Sequence, residues 1–151
     1  MRFLGNIEAK TDAKGRAFLP AVFRKVLQAS GEETLVLRKD IFQKCLVLYP
    51  ESVWNERLDE LKLQLKPWKQ VHQQMLRQFV SEAEVVTLDG NGRFLISKRL
   101  REIAGIGGDL QFIGMDNTVE IWAPEHLRAA LKPDEEFGRE FENVMNTEGA
   151  L

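Results

Sequence analysis

The chain has 151 residues, which suits one domain or two very small ones, and an apolar fraction of 44% is enough for a real core, which argues against wholesale disorder. Its one cysteine, Cys45, has no internal disulfide partner and fits a reducing cytoplasm, while the lack of a long apolar run argues against export or a membrane span. A net charge of −2 speaks at first against a nucleic-acid partner. The distribution of charge reverses that. Residues 133–151 hold six acids and one base, so the remaining 132 residues carry 20 bases against 17 acids. Six bases and two acids fall in the first 25 residues, and four bases with no acid lie between Arg93 and Arg101. Basic character is concentrated in two short segments, as a polyanion-binding surface requires.

In chain order, residues 3–11 read as a moderately apolar strand that ends in a turn at Asp12–Gly15, and Arg16–Leu19 continue as a second strand. Pro20 suits a first helical turn, where its missing N–H does no harm. Val22, Phe23, Val26 and Leu27 follow at helical spacing, and Ser30-Gly31 closes the helix. Thr34–Leu37 and Leu46–Tyr49 are β-prone runs joined over Lys39–Lys44, and Pro50 opens a helix with Val53, Trp54, Leu58, Leu61 and Leu65 on one side. Pro67–Glu82 has Trp68, Val71, Met75, Leu76 and Phe79 at helical spacing and reads as a connecting helix. A strand at Glu84–Leu88, a turn at Asp89–Gly92, a strand at Arg93–Ile96 and a helix from Ser97 to Ala104 follow, with Gly107-Gly108 as the stop. Leu110–Gly114 and Val119–Trp122 form a hairpin around Asp116-Asn117, and Glu125–Leu131 is a last short helix. The acidic tail, 133–151, is largely unpatterned and is expected to be mobile apart from a single helical turn.

The second half of this order repeats the first. Asp12-Ala-Lys-Gly15-Arg16 recurs 77 positions later as Asp89-Gly-Asn-Gly92-Arg93, and Arg24 then falls on Arg101, Val26 on Ile103 and Gly31 on Gly108. After a shortening by three residues, Pro50-Glu51 falls on Pro124-Glu125. Each unit, about 45 residues long, is too small to bury a stable core alone, so the two are expected to pack on each other.

The repeated phrase has a physical reading. Asp at the start of a turn accepts hydrogen bonds from backbone N–H groups one or two residues on, Gly allows φ > 0, and Arg leaves the turn at the head of a strand within reach of its own Asp. A guanidinium so held suits phosphate or the major-groove edge of guanine, because its planar fork donates two parallel hydrogen bonds. A single such phrase is an ordinary β-turn followed by a soluble residue; repetition in register is what lifts it above that. Arg24 and Arg101 stay open between solvated helix residues and Asp partners. His72, His126 and Cys45 have no metal-site spacing, and Gly105-x-Gly107-Gly108 lacks the last glycine of a dinucleotide loop and follows a helix. Trp54, Trp68 and Trp122 read as core or interface anchors. No paired carboxylates, nucleophile elbow or phosphate loop stands out, so no enzyme is expected.

At these residues the chain resembles the MraZ family of bacterial transcriptional regulators over roughly residues 1–131. The resemblance is carried by Asp12-x-x-Gly15-Arg16, Cys45-Leu-Val-Leu-Tyr49-Pro50, Asp89-x-x-Gly92-Arg93, Leu100-Arg101 and Val119-Glu-Ile-Trp122. Either half alone resembles only the broader SpoVT/AbrB-like superfamily. The resemblance implies an α+β fold, a double-split β-barrel of the AbrB/MazE-like type formed by two interlocked pseudo-repeats with connecting helices. Residues 7–54 and 83–126 are then the SpoVT/AbrB-like repeats and 55–82 the connecting helical segment. It also implies a ring-like homo-oligomer that binds direct repeats in double-stranded DNA upstream of the division and cell-wall gene cluster, its own gene included. Arg16 and Arg93 take the DNA-contact role by motif matching, and Asp12 and Asp89 the supporting role. Two positions depart from symmetry or pattern: Asn91 stands opposite Lys14, and Ser97 stands where the family often has proline.

The expected function is therefore a sequence-specific, autoregulatory DNA-binding repressor, cytoplasmic and nucleoid-associated, with no cofactor and no membrane partner. Arg16, Lys14 and Arg93 are expected to meet the groove and phosphates. The alternative is a protein-interaction scaffold whose basic loops bind acidic protein partners.

Overall fold

The structure, a computed structural model, describes residues 1–149, with side chains as far as Asn146. In chain order its elements are β1 (Asn6–Lys10), β2 (Arg16–Phe18), α1 (Ala21–Ala29), β3 (Thr34–Lys39), β4 (Leu46–Pro50), α2 (Glu51–Gln64), α3 (Gln70–Ser81), β5 (Glu84–Thr87), β6 (Arg93–Leu95), α4 (Lys98–Ala104), β7 (Asp109–Gly114), β8 (Val119–Trp122), α5 (Pro124–Ala130) and α6 (Asp134–Gly149). The fold is α+β, with antiparallel pairing throughout.

Six strands form one sheet in the order β1-β7-β8-β4-β3-β5, and β2 with β6 makes a separate ribbon. Exchanging β1–β4 for β5–β8 turns that order into its own reverse. The reason lies in the pairing, because each half lends its first strand to the other. β1 lies against β7, with Ile7 opposite Phe112, and β5 lies against β3, with Val86 opposite Leu35. β4 and β8 join the halves at the centre, with Val47 opposite Glu120. Neither half completes its sheet alone, as the small size of each unit requires. Among the described residues β1 and β5 do not pair with each other, so the sheet is open and no closed barrel forms.

One core serves both halves, and equivalent positions enter it together: Leu19 with Ile96, Phe23 with Leu100, Leu27 with Ala104. The ribbon is tied to this core from beneath. Ala17 and Phe94 face each other across β2 and β6 and are both buried. These are also equivalent positions in the two halves, and a small residue facing a large one fills a space that two phenylalanines would overpack.

On its other face β3 is covered by helices, which is why Leu35, Val36, Leu37 and Arg38 are all buried. Arg38 is the buried charge, and it fastens α3. Its Nε donates to Phe79 O at 2.9 Å, its Nη2 lies 3.4 Å from Glu82 Oε2, and its guanidinium sits 4.7 Å from the Phe79 ring centroid. Phe79 in turn stacks on Trp54 at 5.1 Å. A cation at the last carbonyls of a helix complements the negative end of its dipole, so α3 is pinned by its C-terminal half.

One local expectation changes. The tail, expected to be mobile apart from one turn, is helical over Asp134–Gly149. Three of its acids, Asp134, Glu135 and Glu136, lie in the first turn, where they complement the helix dipole, and Phe137, Phe141, Val144 and Met145 recur at helical spacing. That period is hidden in the sequence by the acids between. Ala150 and Leu151, the last residues of the expected tail, lie outside the described residues. Helix α4, by contrast, starts where the sequence placed it despite the missing proline. Ser97 caps it, accepting from Leu100 N at 3.3 Å and donating to Glu84 Oε2 at 3.0 Å.

Candidate nucleic-acid interface

The two Asp-x-x-x-Arg turns are built alike, atom for atom. Asp12 Oδ1 accepts from Lys14 N and Arg16 N, both at 2.9 Å, and Asp12 Oδ2 accepts from Arg16 Nε at 2.8 Å. Asp89 Oδ1 accepts from Asn91 N and Arg93 N at 2.9 Å, and its Oδ2 accepts from Arg93 Nε at 2.9 Å. Each carboxylate thus closes its own turn and holds its own arginine by the Nε edge. Among the described residues neither guanidinium has another hydrogen-bond partner, which leaves the Nη1–Nη2 end for an external acceptor.

The backbone N–H of Arg16 is the chief influence that holds the Asp12 carboxyl below its usual value, and that of Arg93 does the same for Asp89. A carboxyl depressed in the folded state contributes stability that is present above its ordinary value of 3.8 and lost only as pH falls through the lower folded value. Both turns therefore stay closed throughout the neutral range. Titration of the two side-chain carboxyl resonances by NMR should give midpoints below 3.8, and midpoints at or above it would remove the bracing assigned to the aspartates.

Ribbon register decides whether the two arginines share a surface. Arg16 pairs with Leu95 and Arg93 with Phe18, while Ala17 and Phe94 pair on the opposite face. Alternation along a strand therefore puts Arg16, Phe18, Arg93 and Leu95 together on the outer face. Diagonal neighbours in an antiparallel pair lie about 7–8 Å apart, within reach of one short stretch of a groove. Arg16 and Arg93 also line the same shallow cleft, with Lys10, Thr11, Asp12 and Phe18.

The two turns are not equivalent in surroundings. Arg93 Cζ lies 5.8 Å from the exposed Phe18 ring, close enough for a cation–π contact, whereas Arg16 faces Leu95, which has no ring. The Arg93 side chain is accordingly less exposed, 24% against 33% for Arg16. Lys14 is exposed at the tip of its turn. The basic run after the second turn is partly spent internally: Arg99 pairs with Glu84 at 2.7 Å and Lys98 lies 3.9 Å from Glu102.

Arg24 and Arg101 turn out to be neither solvated residues nor Asp partners. Arg24 Nη1 donates to Leu19 O at 2.8 Å and its guanidinium lies over Gly92; Arg101 Nε donates to Ile96 O at 2.9 Å and lies over Gly15. Each half thus closes down on the turn of the other. Backbone bonds follow the same exchange, Leu19 N to Gly92 O and Ile96 N to Gly15 O, both at 3.0 Å. The 77-residue register pointed to this arginine pair, but its crossed targets depend on how the halves interlock and have no local signal.

Gly15 and Gly92 carry φ of 85° and 81°, and a Cβ built on Gly92 would fall 2.6 Å from Arg24 Nη1. Gly92→Ala should cost about 1–2 kcal/mol of stability in urea unfolding, from the left-handed backbone. Adding Arg24→Ala should relieve the contact but not the backbone strain, so the double variant should stay destabilised.

Among the described residues no group of three or more His, Cys, Asp or Glu side chains is placed to hold a metal ion, and no helix is long and apolar enough to cross a membrane. His72 Nδ1 accepts from Lys66 N at 2.8 Å, a local bond at the start of α3, and Cys45 is buried with Trp122 and Leu127, where burial pushes its thiol well up.

A two-stranded ribbon that presents braced arginines has the chemistry to meet a polyanion, and comparison with known proteins gives the family of the chain. The family model for "MraZ protein", antitoxin-like in its description, matches residues 2–77 and 79–143, and the chain belongs to that family. It is 60% identical over 147 residues to the Transcriptional regulator MraZ of Phocaeicola vulgatus, covering 97% of this chain and 96% of that protein. It is 58% identical over 148 residues to the Transcriptional regulator MraZ of Bacteroides thetaiotaomicron, covering 98% and 95%. With the Transcriptional regulator MraZ of Anaeromyxobacter dehalogenans identity is 38% over 120 residues, covering 80% and 83%.

Proposed function

We propose that this protein is a sequence-specific DNA-binding transcriptional regulator, a non-enzymatic repressor that needs no cofactor. One observation carries the reading: Arg16 and Arg93, each braced by its own aspartate, lie on one outer face of the β2–β6 ribbon. The B-DNA major groove is wide enough to admit a two-stranded ribbon, and a guanidinium with a free end matches O6 and N7 of guanine. The exposed Phe18 between the arginines suits a thymine methyl. Lys14 contributes charge to the phosphates. The names of the 60% and 58% identical relatives support regulation as the biological role.

The targets are direct repeats upstream of the division and cell-wall gene cluster, with the protein's own gene among them, and binding takes place in the cytoplasm at the nucleoid. Sheet and ribbon are the two parts of a double-split barrel made by repeats at 7–54 and 83–126, a reading supported by the lending of β1 and β5 between the halves. A single chain offers few base contacts, so useful affinity comes from a ring-like homo-oligomer on successive repeats, where the second engagement is intramolecular.

Footprinting the purified protein on the DNA upstream of its own gene tests this reading. The expected result is protection of short repeats at regular spacing, with log K falling linearly in log salt as phosphate counterions are released. A protein-interaction scaffold would give no protection that survives competitor DNA, and that outcome would replace the proposal.

A further inference from the structure

Helices α3 and α6 occupy matching places in the two halves, each following the helix opened by a Pro-Glu pair after the last strand of its half. Neither half covers its helix. No residue of α3 is buried, and beyond the Arg38–Phe79 anchor its N-terminal half projects with Val71 and Met75 exposed. Just before it stands Trp68, 95% exposed. On α6, Phe137, Phe141, Val144 and Met145 form one exposed apolar stripe, with the Phe137 and Phe141 rings 5.8 Å apart. Stripes of this width at helical spacing mark packing surfaces, and large exposed apolar patches mark sites of association.

Charge says what covers them. From residue 61 to residue 81 the chain has Lys62, Lys66, Lys69 and Arg77 and no acid, whereas from 134 to 146 it has five acids against the single base Arg139. The two apolar stripes are thus bordered by opposite charges, and both stand open in the single chain. Complementary patches on two different helices of one chain can make a head-to-tail contact, which closes into a ring when the rotation allows.

We propose that α6 of one copy docks on the N-terminal half of α3 and the preceding turn of a second copy. Phe137, Phe141 and Met145 pack against Trp68, Val71 and Met75, and Glu142, together with Glu140 once it exchanges its own Lys132 for the neighbour, faces Lys66 and Lys69. This names the surface behind the homo-oligomer and rests on the reading of the chain as an oligomeric regulator. The negative balance of the tail is then not a general solvating charge: it selects the basic arm of a neighbour and stays away from the basic ribbon.

The test uses the full chain. Wild-type protein, the double variant Phe137→Ser with Phe141→Ser, and the variant Lys66→Glu with Lys69→Glu are compared by sedimentation and light scattering. The substituted side chains are exposed, so folding, checked by circular dichroism, should be unaffected. Both variants should fall toward the 17.3 kDa of a single chain, and adding Glu140→Lys with Glu142→Lys to the lysine variant should restore the larger mass. Met75→Cys with Phe141→Cys should give, on oxidation, a ladder of chains linked to one another, with buried Cys45 silent. A wild-type mass of one chain at all concentrations, unchanged masses in both variants, or a disulfide closed within one chain would each overturn the proposal. Footprinting in parallel keeps the two readings apart. Unchanged variant masses with an intact footprint would reject only this surface, whereas a wild type without a footprint would reject the regulator. Where the contact is lost, affinity for DNA bearing several repeats should drop about 100-fold through lost avidity.

Discussion

Replacing Arg16 and Arg93 together by alanine should abolish specific binding to the upstream DNA while leaving the folded chain intact. A bidentate arginine–guanine contact discriminates by about 1–3 kcal/mol, so two of them lower affinity by a factor between about 30 and 10⁴ at roughly 1.4 kcal/mol per decade. The fold should barely notice. Each arginine is partly exposed and its ion pair with Asp12 or Asp89 lies at the surface, where such pairs contribute at most about 1 kcal/mol. Quantitative gel shift with specific and scrambled DNA, alongside thermal melting, gives both answers from one preparation. Equal affinity in the variant would remove the arginines from the interface.

The single variants should differ in an informative way. Arg93 has the Phe18 ring beneath it and Arg16 has only Leu95, so Arg93 is the more restrained of the two and loses less freedom on binding a base. Arg93→Ala is therefore the costlier single change. Lys14→Ala should weaken specific and scrambled DNA alike, by less than either arginine, and reduce the salt slope by about one, as for a residue that meets phosphate only.

Much of the geometry of the two turns could be read from the chain itself, because its chemistry is local. A turn of the form Asp-x-x-Gly-Arg needs nothing beyond five residues to place its carboxylate on its own N–H groups, and both turns form as their residues dictate. What the five residues do not contain is register across chain halves. That Arg16 and Arg93 share a face follows from Ala17 pairing with Phe94 over a separation no local pattern spans. The same holds for Arg24 and Arg101, whose matching positions were visible while their crossed targets at Gly92 and Gly15 were not. The strand exchange that places β1 beside β7 is equally silent in composition, since either half has the alternation to pair with itself. The tail failed for a different reason. Its apolar period of four and three is masked by the acids between, and none of its described side chains is buried, so the composition speaks for mobility where the backbone is helical.

Phe94→Ala should be the most destabilising single change in the ribbon, costing about 3–5 kcal/mol. Phe94 is 2% exposed, lies 6.3 Å from Phe112 ring to ring, and stands opposite Ala17, so no neighbour across the strand is large enough to fill the space it leaves. Phe18, on the partner strand and on the other face, makes the control. It is 55% exposed, so Phe18→Ala should change stability by no more than about 0.5 kcal/mol, yet it takes away both the ring under Arg93 and the apolar contact offered to the groove. The expected pattern is therefore crossed. Phe94→Ala lowers the unfolding midpoint sharply and weakens DNA binding only as far as the folded fraction falls, whereas Phe18→Ala keeps the midpoint and loses affinity. Urea unfolding and gel shift on the two variants decide it, and a Phe18→Ala protein that binds DNA as well as wild type would move the recognition surface off the outer face of the ribbon.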